Sequence, residues 1–414
     1  MVTEPMATAQ AGYGTFRAVS YPWRLYSGAD ALRHLPTELE RAGADQAFVV
    51  CGRTLAHRTN LLTRIRDILG ERCAGVFDAM DKDSSYPAVR AATEAARSVA
   101  ADLLIAVGGG SVIVGTRGVA IFLAERGDPF ELMTQYPGGK PAYSPRLLAP
   151  KLPIINVVTT PTTAMNRAGT GLKNEQLDHR MEYYDPKTRP VALFWDAEAL
   201  LTAPLDLLRS TGTTTFTTAL RGITQRSSSP LVEGDRLQSF RLARRALPRA
   251  LAEPDNPAPR IDLCAAALLA NRAADDDAGR RTERDPIGSG SYALATAIHL
   301  RYHHVGQGEA TAALVPTVVR RMDRAEAEAA IRLAETLGVG KAGMSTAEAN
   351  AASADALASF YSALGMPVRV RELEIPRQDL PLLARDALKN FNANPGQRSA
   401  DQVEWMLALL EAAW

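Results

Sequence analysis

The chain has 414 residues, and 47 Lys+Arg against 46 Asp+Glu leave a formal net charge of +1, too weak a field to draw it to nucleic acid or an acidic membrane. Apolar residues make up 46% and charged residues 22%, ordinary globular usage, so disorder is excluded as the main theme and the length implies two domains. Cys51, Cys73 and Cys264 stand without CxxC spacing, which fits neither a disulfide framework nor a zinc ribbon and points to a reduced, cytosolic compartment.

The opening MVTEPMATAQAGYGT lacks a basic start followed by an apolar run, and no stretch of eighteen apolar residues occurs. A frayed tail is expected there, with neither secretion nor membrane spanning. The runs AFVVC (47–51), LLIAV (103–107), PIINVV (153–158) and VALFW (191–195) are short, continuous and apolar, as strands buried on both faces of a parallel sheet should be. Helical patterns at 54–69 and 87–100 lie between the first two, so the first half reads as a doubly wound α/β domain. Its ligand site is expected beyond the carboxyl ends of the strands.

From Leu200 onwards Ala/Leu/Arg patterns at helical spacing take over. They predict helices at 235–252, with Pro248 marking a kink or end, and at 261–275, 291–303, 324–336, 346–363 and 401–412. SSSP (227–230) and EPDNPAP (253–259) read as connectors. The boundary falls near 198, giving an α/β dinucleotide-binding domain over 1–198 and an all-helical domain over 199–414.

The strand LLIAV runs directly into Gly108, Gly109, Gly110 and Ser111, and a helical stretch follows. Glycines let the backbone approach a ligand closely, and the free amides of a helix N-terminus suit a pyrophosphate. After the next buried strand comes TTPTTA (159–164), a hydroxyl-rich turn at the same sheet edge.

The order of GGGSVI, PTTA, DAEAL (196–200), TG (211–212) and NANPGQR (392–398) resembles the iron-containing (group III) alcohol dehydrogenase superfamily, with its dehydroquinate-synthase-like fold, over nearly the whole chain. The opening FRAVSYPWRLYSGADALRHLPTEL is similar to that family's entry strand and first helix. The resemblance implies a Rossmann-like N-terminal domain, a helical C-terminal domain, NAD(P) in the cleft between them and a homodimer. It places Gly108, Gly109, Gly110 and Ser111 on the pyrophosphate, Thr162 and Thr163 on the adenosine side, and Arg180 where the family usually has a cofactor-contacting Lys. After the first strand, Gly52 and Arg53 stand where NAD-type members commonly place an Asp. A cation there favours NADP(H) over NAD(H).

The family's metal-dependent members hold Fe or Zn with one Asp and three His. The pattern T-G-x-D-A-L-x-H falls on TGTTTFTT (211–218), so Thr214 and Thr218 replace Asp and His. The later His positions fall on Ala293 and Gln307, and an auxiliary His on Ala297. Such a donor set does not suit a divalent metal, and the expectation is a metal-independent enzyme. His299 and His303, four apart with His304 adjacent, share a helical face if the helix continues. No carboxylate accompanies them at a recognisable spacing, so a cleft-edge histidine cluster is expected rather than a metal site.

Segments such as SSYPAVRAA (84–92) and Glu309 are similar to the maleylacetate reductase branch, whereas the residues at 165–169, 293, 297 and 307 depart from it. Without a Lewis acid, carbonyl reduction needs a proton donor or another source of charge stabilisation. Asn166, Arg167, Lys173, Tyr292, His299 and Gln307 are the candidates for the cleft, Arg167 foremost because a guanidinium grips a carboxylate bidentately. The expected function is a hydride-transferring NAD(P)H-dependent oxidoreductase acting on a small carbonyl or conjugated substrate. A non-redox lyase or cyclase of the dehydroquinate-synthase type and a non-catalytic nucleotide-binding protein are the alternatives.

Overall fold

The computed structural model describes residues 15–414 except 138, 139, 141, 178, 278–284, 324, 325 and 390–399. The opening tail, apart from its last residue, and the NANPGQR stretch therefore lie outside the described residues.

The predicted apolar runs are strands. β1 (Arg24–Gly28), β2 (Ala47–Cys51), β3 (Cys73–Phe77), β4 (Leu103–Gly108) and β5 (Ile154–Val158) are followed by the hairpin β6 (Thr170–Leu172) and β7 (Met181–Tyr183) and by β8 (Ala192–Asp196). Six of them form one sheet in the order β1-β8-β5-β4-β2-β3, with every pairing parallel. Central strands β2, β4, β5 and β8 are buried along their whole length, as helices on both faces require.

The helices of this half are α1 (Leu35–Ala42), α2 (Arg53–Arg58), α3 (Leu61–Leu69), α4 (Tyr86–Ser98), α5 (Gly110–Ala124) and the short α6 (Pro129–Leu132). The pattern expected as one helix over 54–69 is broken into α2 and α3. Thr59 is extended (φ −134°), and its hydroxyl accepts from Leu61 N at 3.3 Å. Helix α5 is apolar on nearly every side and buried from Val112 to Phe122 apart from Val114, which anchors its N-terminus at the sheet's carboxyl edge.

Asp196 ends β8 and caps α7 (Ala197–Leu201), its Oδ1 accepting from Ala199 N at 3.1 Å. Helices then follow: α8 (Leu205–Thr224), α9 (Pro230–Ala252), α10 (Pro257–Asp276), α11 (Gly288–Arg301), α12 (Gln307–Arg320), α13 (Ala327–Leu337), α14 (Thr346–Ala363), α15 (Leu380–Ala387) and α16 (Ala400–Ala413). Pro248 neither ends nor delimits α9, which continues to Ala252 while packed along α10. The two expected connectors are shorter than predicted. Ser229 caps α9 with Pro230 as first residue, and Asn256 caps α10 with Pro257 likewise, the position where a missing N–H costs nothing.

Candidate active site

Gly108 of β4 lies beside Val158 of β5, and Val107 beside Cys51 of β2, so the turns opening at Gly52, Gly109 and Thr159 share one sheet edge. None of Gly108, Gly109 and Gly110 has a positive φ. Their requirement is space: a Cβ on Gly109 would lie 2.7 Å from Thr160 Cγ2, and one on Gly110 3.2 Å from Thr162 Oγ1. The first turn of α5 holds no acidic residue, and its leading amides have no partner within the helix. Gly52 precedes α2, whose first residue, Arg53, is exposed. Burial pushes the Cys51 thiol just before it up to about 12, so it is no nucleophile.

Ser111 is gripped by the loop before α4. Its Oγ accepts from Asp83 N at 3.1 Å, and its carbonyl accepts from Ser84 Oγ at 2.6 Å. Asp83 and Ser84 are consecutive non-glycine residues in the left-handed region (φ 68° and 53°), a costly backbone held by its surroundings. Lys173 N donates to the Ser84 carbonyl at 3.3 Å, which ties the glycine turn to the β6–β7 hairpin.

The helical half closes over this edge. His299 Nε2 lies 2.6 Å from Asp83 Oδ1, and Nδ1 lies 3.0 Å from the Val305 carbonyl. Burial pushes the Asp83 carboxyl up, but the hydrogen bond and charge of His299 outweigh it and hold the group below its usual range. Lys82 Nζ donates to the His303 carbonyl at 2.7 Å, and the Thr160 and Thr211 hydroxyls meet at 2.6 Å. Neither Lys82 nor Asp83 stood out in the sequence, because their partners are more than two hundred positions away.

The structure brings only some of the predicted residues together. Thr162 Oγ1 accepts from Ala164 N at 3.1 Å, and the Thr163 carbonyl accepts from Asn271 Nδ2 at 2.8 Å. Asn166 is buried against Asn271, and Arg167 Nε donates to Asn271 Oδ1 at 2.6 Å, so this pair ties the loop to α10. Tyr292 lies under the Arg221 guanidinium, 5.5 Å from ring centroid to Cζ. Gln307 opens α12. The shared face expected for His299 and His303 does not form, because α11 ends at Arg301. His303 instead meets Lys173 Nζ, 2.8 Å from Nε2, and His304 Nε2 lies 3.0 Å from the Leu373 carbonyl.

A cavity of about 290 Å³ lies between the β6–β7 hairpin, α11 and α15. Lys173, Arg180, Ala293, Thr296, Ala297 and His303 are among its lining residues. Ala293 and Ala297, which the resemblance sets at histidine positions, are thus part of its wall.

Two family models cover the chain, "Iron-containing alcohol dehydrogenase" over residues 22–197 and "Fe-containing alcohol dehydrogenase family, C-terminal" over 209–414. The chain belongs to the iron-containing alcohol dehydrogenase family. It is similar to the 1,3-propanediol dehydrogenase of Citrobacter freundii, 27% identical over 80% of each chain. It is also similar to the NAD-dependent methanol dehydrogenase of Bacillus methanolicus, 22% identical over 90% of this chain and 93% of the relative. A crystal structure of a 1,3-propanediol oxidoreductase superposes with a TM-score of 0.79 at 23% identity, covering 97% of this chain and all of the other, a likeness of fold. This family member is thus an oxidoreductase of the alcohol and aldehyde type.

The family corrects two expectations drawn from the sequence, the absence of a metal and the preference for NADP(H). Its name carries iron, and the methanol dehydrogenase relative is NAD-dependent. Loss of an Asp beside Gly52 was too local a feature to set the nucleotide. At the four positions that the resemblance gives to metal ligands, Thr214 and Thr218 donate to the carbonyls of Ser210 and Thr214 at 3.1 and 2.9 Å, Ala293 has no donor atom, and Gln307 offers an amide. Among the described residues no group of three or more His, Cys, Asp or Glu converges. These four side chains do not fit a divalent iron or zinc ion, and the chemistry below is derived from the chain's own groups.

Proposed function

We propose that this enzyme binds a nicotinamide dinucleotide across the glycine turn and transfers a hydride between it and a small alcohol or aldehyde in the adjacent cavity. The observation that carries the reading is the continuity from Ser111 through Ser84 to Lys173, which sets the N-terminus of α5 beside a lined cavity. The glycine cradle fits a pyrophosphate, since a Cβ on Gly109 or Gly110 would press on Thr160 or Thr162, and Gly108, Gly109, Gly110 and Ser111 would hold it. When bound, the nicotinamide supplies the hydride or accepts it.

The chain's own part is to exclude water, orient the substrate and exchange a proton at its oxygen. Lys173 Nζ and the His303 ring line the cavity 2.8 Å apart, and we assign this pair to the substrate oxygen. Asp83 and His299 hold the two halves together beside it. Gly52 and Arg53 extend the nucleotide cleft along the sheet edge, with Thr162 and Thr163 on its other side.

The reading carries with it a domain boundary near 198, a homodimer and a cytosolic location. Cys51, Cys73 and Cys264, all unpaired, support the last. The test is the nicotinamide absorbance band followed during incubation of protein, NADH or NADPH and a series of short aldehydes. Aldehyde-dependent loss of the band supports the proposal, and protein that binds the nucleotide but turns over no aldehyde or alcohol opposes it.

A further inference from the structure

We infer that the cavity is selective for substrates carrying a carboxylate, and that Arg180 receives it in place of the cofactor contact that the resemblance gave this position. The inference rests on the reading of the cavity as the substrate site.

Arg180 lines the cavity, yet it makes no hydrogen bond or ion pair among the described residues. Its Nε is buried and has no acceptor. A donor withdrawn from water and left unmet, as this Nε is, is costly, which is why such groups in native proteins have partners. The nearby acids are committed elsewhere. Asp83, whose carboxyl feels the Arg180 charge, is bonded to His299. Asp386 pairs with Arg301 at 3.2 Å, and Glu182 accepts from the Tyr136 hydroxyl at 2.9 Å. Glu175 is exposed. No carboxylate of the described protein satisfies the planar fork, and a ligand carboxylate matches it in shape and charge.

The remainder of the wall sets the other features of the ligand. Ala293, Ala297 and Leu300 give an apolar floor, and Lys173 with His303 stands at the proton-exchanging end. A volume of about 290 Å³ lies at the small end of ligand pockets. The ligand class is a short-chain aldehyde or alcohol bearing one carboxylate at the end remote from the reacting carbon. Reduction adds a hydride from the nicotinamide to the carbonyl carbon and a proton from the Lys173–His303 pair to its oxygen, and oxidation reverses both.

The test compares γ-hydroxybutyrate with n-butanol by calorimetric titration, and succinic semialdehyde with butanal in turnover with NADH or NADPH, in the wild-type enzyme, R180Q and R180K. Wild type is expected to bind the charged alcohol and use the charged aldehyde about ten- to a hundredfold better than the neutral one, the worth of a charged hydrogen bond. R180Q should lose that margin through KM for the charged aldehyde, read as the ratio of charged to neutral turnover, and R180K should regain part of it. Equal handling of charged and neutral ligands by wild type, or a margin that survives in R180Q, overturns the inference. Turnover of neutral aldehydes with no binding margin would leave the hydride-transfer reading standing without it. A binding margin with no nicotinamide-linked turnover of either class would do the reverse. Melting curves of each variant without ligand confirm that the compared proteins are folded.

Discussion

The carboxylate of Asp83 and the imidazole of His299 meet at 2.6 Å across the two halves of the molecule, both about 93% buried. Each is also tied to its own side: Asp83 N donates to Ser111 Oγ in the glycine turn, and His299 Nδ1 faces the Val305 carbonyl. The pair therefore ties the helical half to the loop that grips the glycine turn.

Breaking this pair leaves a buried charge uncompensated. His299→Ala should cost about 3–5 kcal/mol of stability, read as a fall in denaturation midpoint without a change in slope. Asp83→Asn should lose less, because the amide still accepts a hydrogen bond. The pH dependence follows from the direction of the Asp83 shift. A carboxylate held below its usual range stabilises the folded state above the unfolded value of about 4 and loses that contribution as pH falls through the lower folded value. The stability gap between wild type and Asp83→Asn should thus be full near neutrality and shrink in acid. A gap that is constant or grows as pH falls would contradict the assignment.

Gly109→Val should abolish the thermal shift produced by added nicotinamide dinucleotide. The structure also predicts a loss in the free protein, because the new Cβ must displace Thr160 Cγ2 from 2.7 Å, and Thr160 is bonded to Thr211. Overpacking of this kind costs about 1–3 kcal/mol. A variant that melts lower yet keeps the full nucleotide shift would place the pyrophosphate elsewhere.

A contrasting pair of glycines tests the packing of the helical half. A Cβ on Gly308 would lie 2.1 Å from the Ser210 carbonyl oxygen, where α12 crosses α8 and Glu309 accepts from Ser210 Oγ at 2.6 Å. Gly308→Ala should therefore destabilise by more than about 3 kcal/mol, since backbone must move. Gly234 in α9 is exposed and has no atom within 4 Å of its Cβ position. Gly234→Ala should stabilise by roughly 0.5–1 kcal/mol. Equal effects in thermal denaturation would show that α8 and α12 do not approach as described.

Lys173→Met removes the ammonium at the His303 ring while leaving the aliphatic stem. It should lower kcat for aldehyde reduction by about 10²–10⁴, with little change in nucleotide binding. An unaltered kcat and pH profile would remove Lys173 from proton exchange.

The sheet was legible because its central strands are continuous apolar runs of the length a covered parallel sheet requires, as AFVVC and PIINVV show. Strand β3 was missed because CAGVF is only half-buried along its length and carries Gly75. Helix α8 was hidden by the threonines at 213–218, whose usual competition with the backbone is met here by bonds from Thr214 and Thr218 to the preceding turn. Helix α12 was obscured by Pro316, which lies inside it. Within the site, the glycine turn could be read from local order alone. The Asp83–His299 pair could not, because it depends on two consecutive left-handed residues and on a contact spanning 216 positions. The metal and nucleotide expectations failed for another reason: the first rested on a handful of ligand positions and the second on one turn, whereas family membership is carried by both halves of the chain.

The central claim is that hydride passes between a nicotinamide on the glycine turn and a carbonyl in the Lys173-lined cavity. Mass spectrometry of the alcohol formed from succinic semialdehyde or butanal and hydride-deuterated NADH or NADPH tests it directly. One deuterium on the carbinol carbon, absent with Gly109→Val, is the predicted result. Alcohol formed without the label, or no alcohol formed by protein that binds the nucleotide, would contradict it.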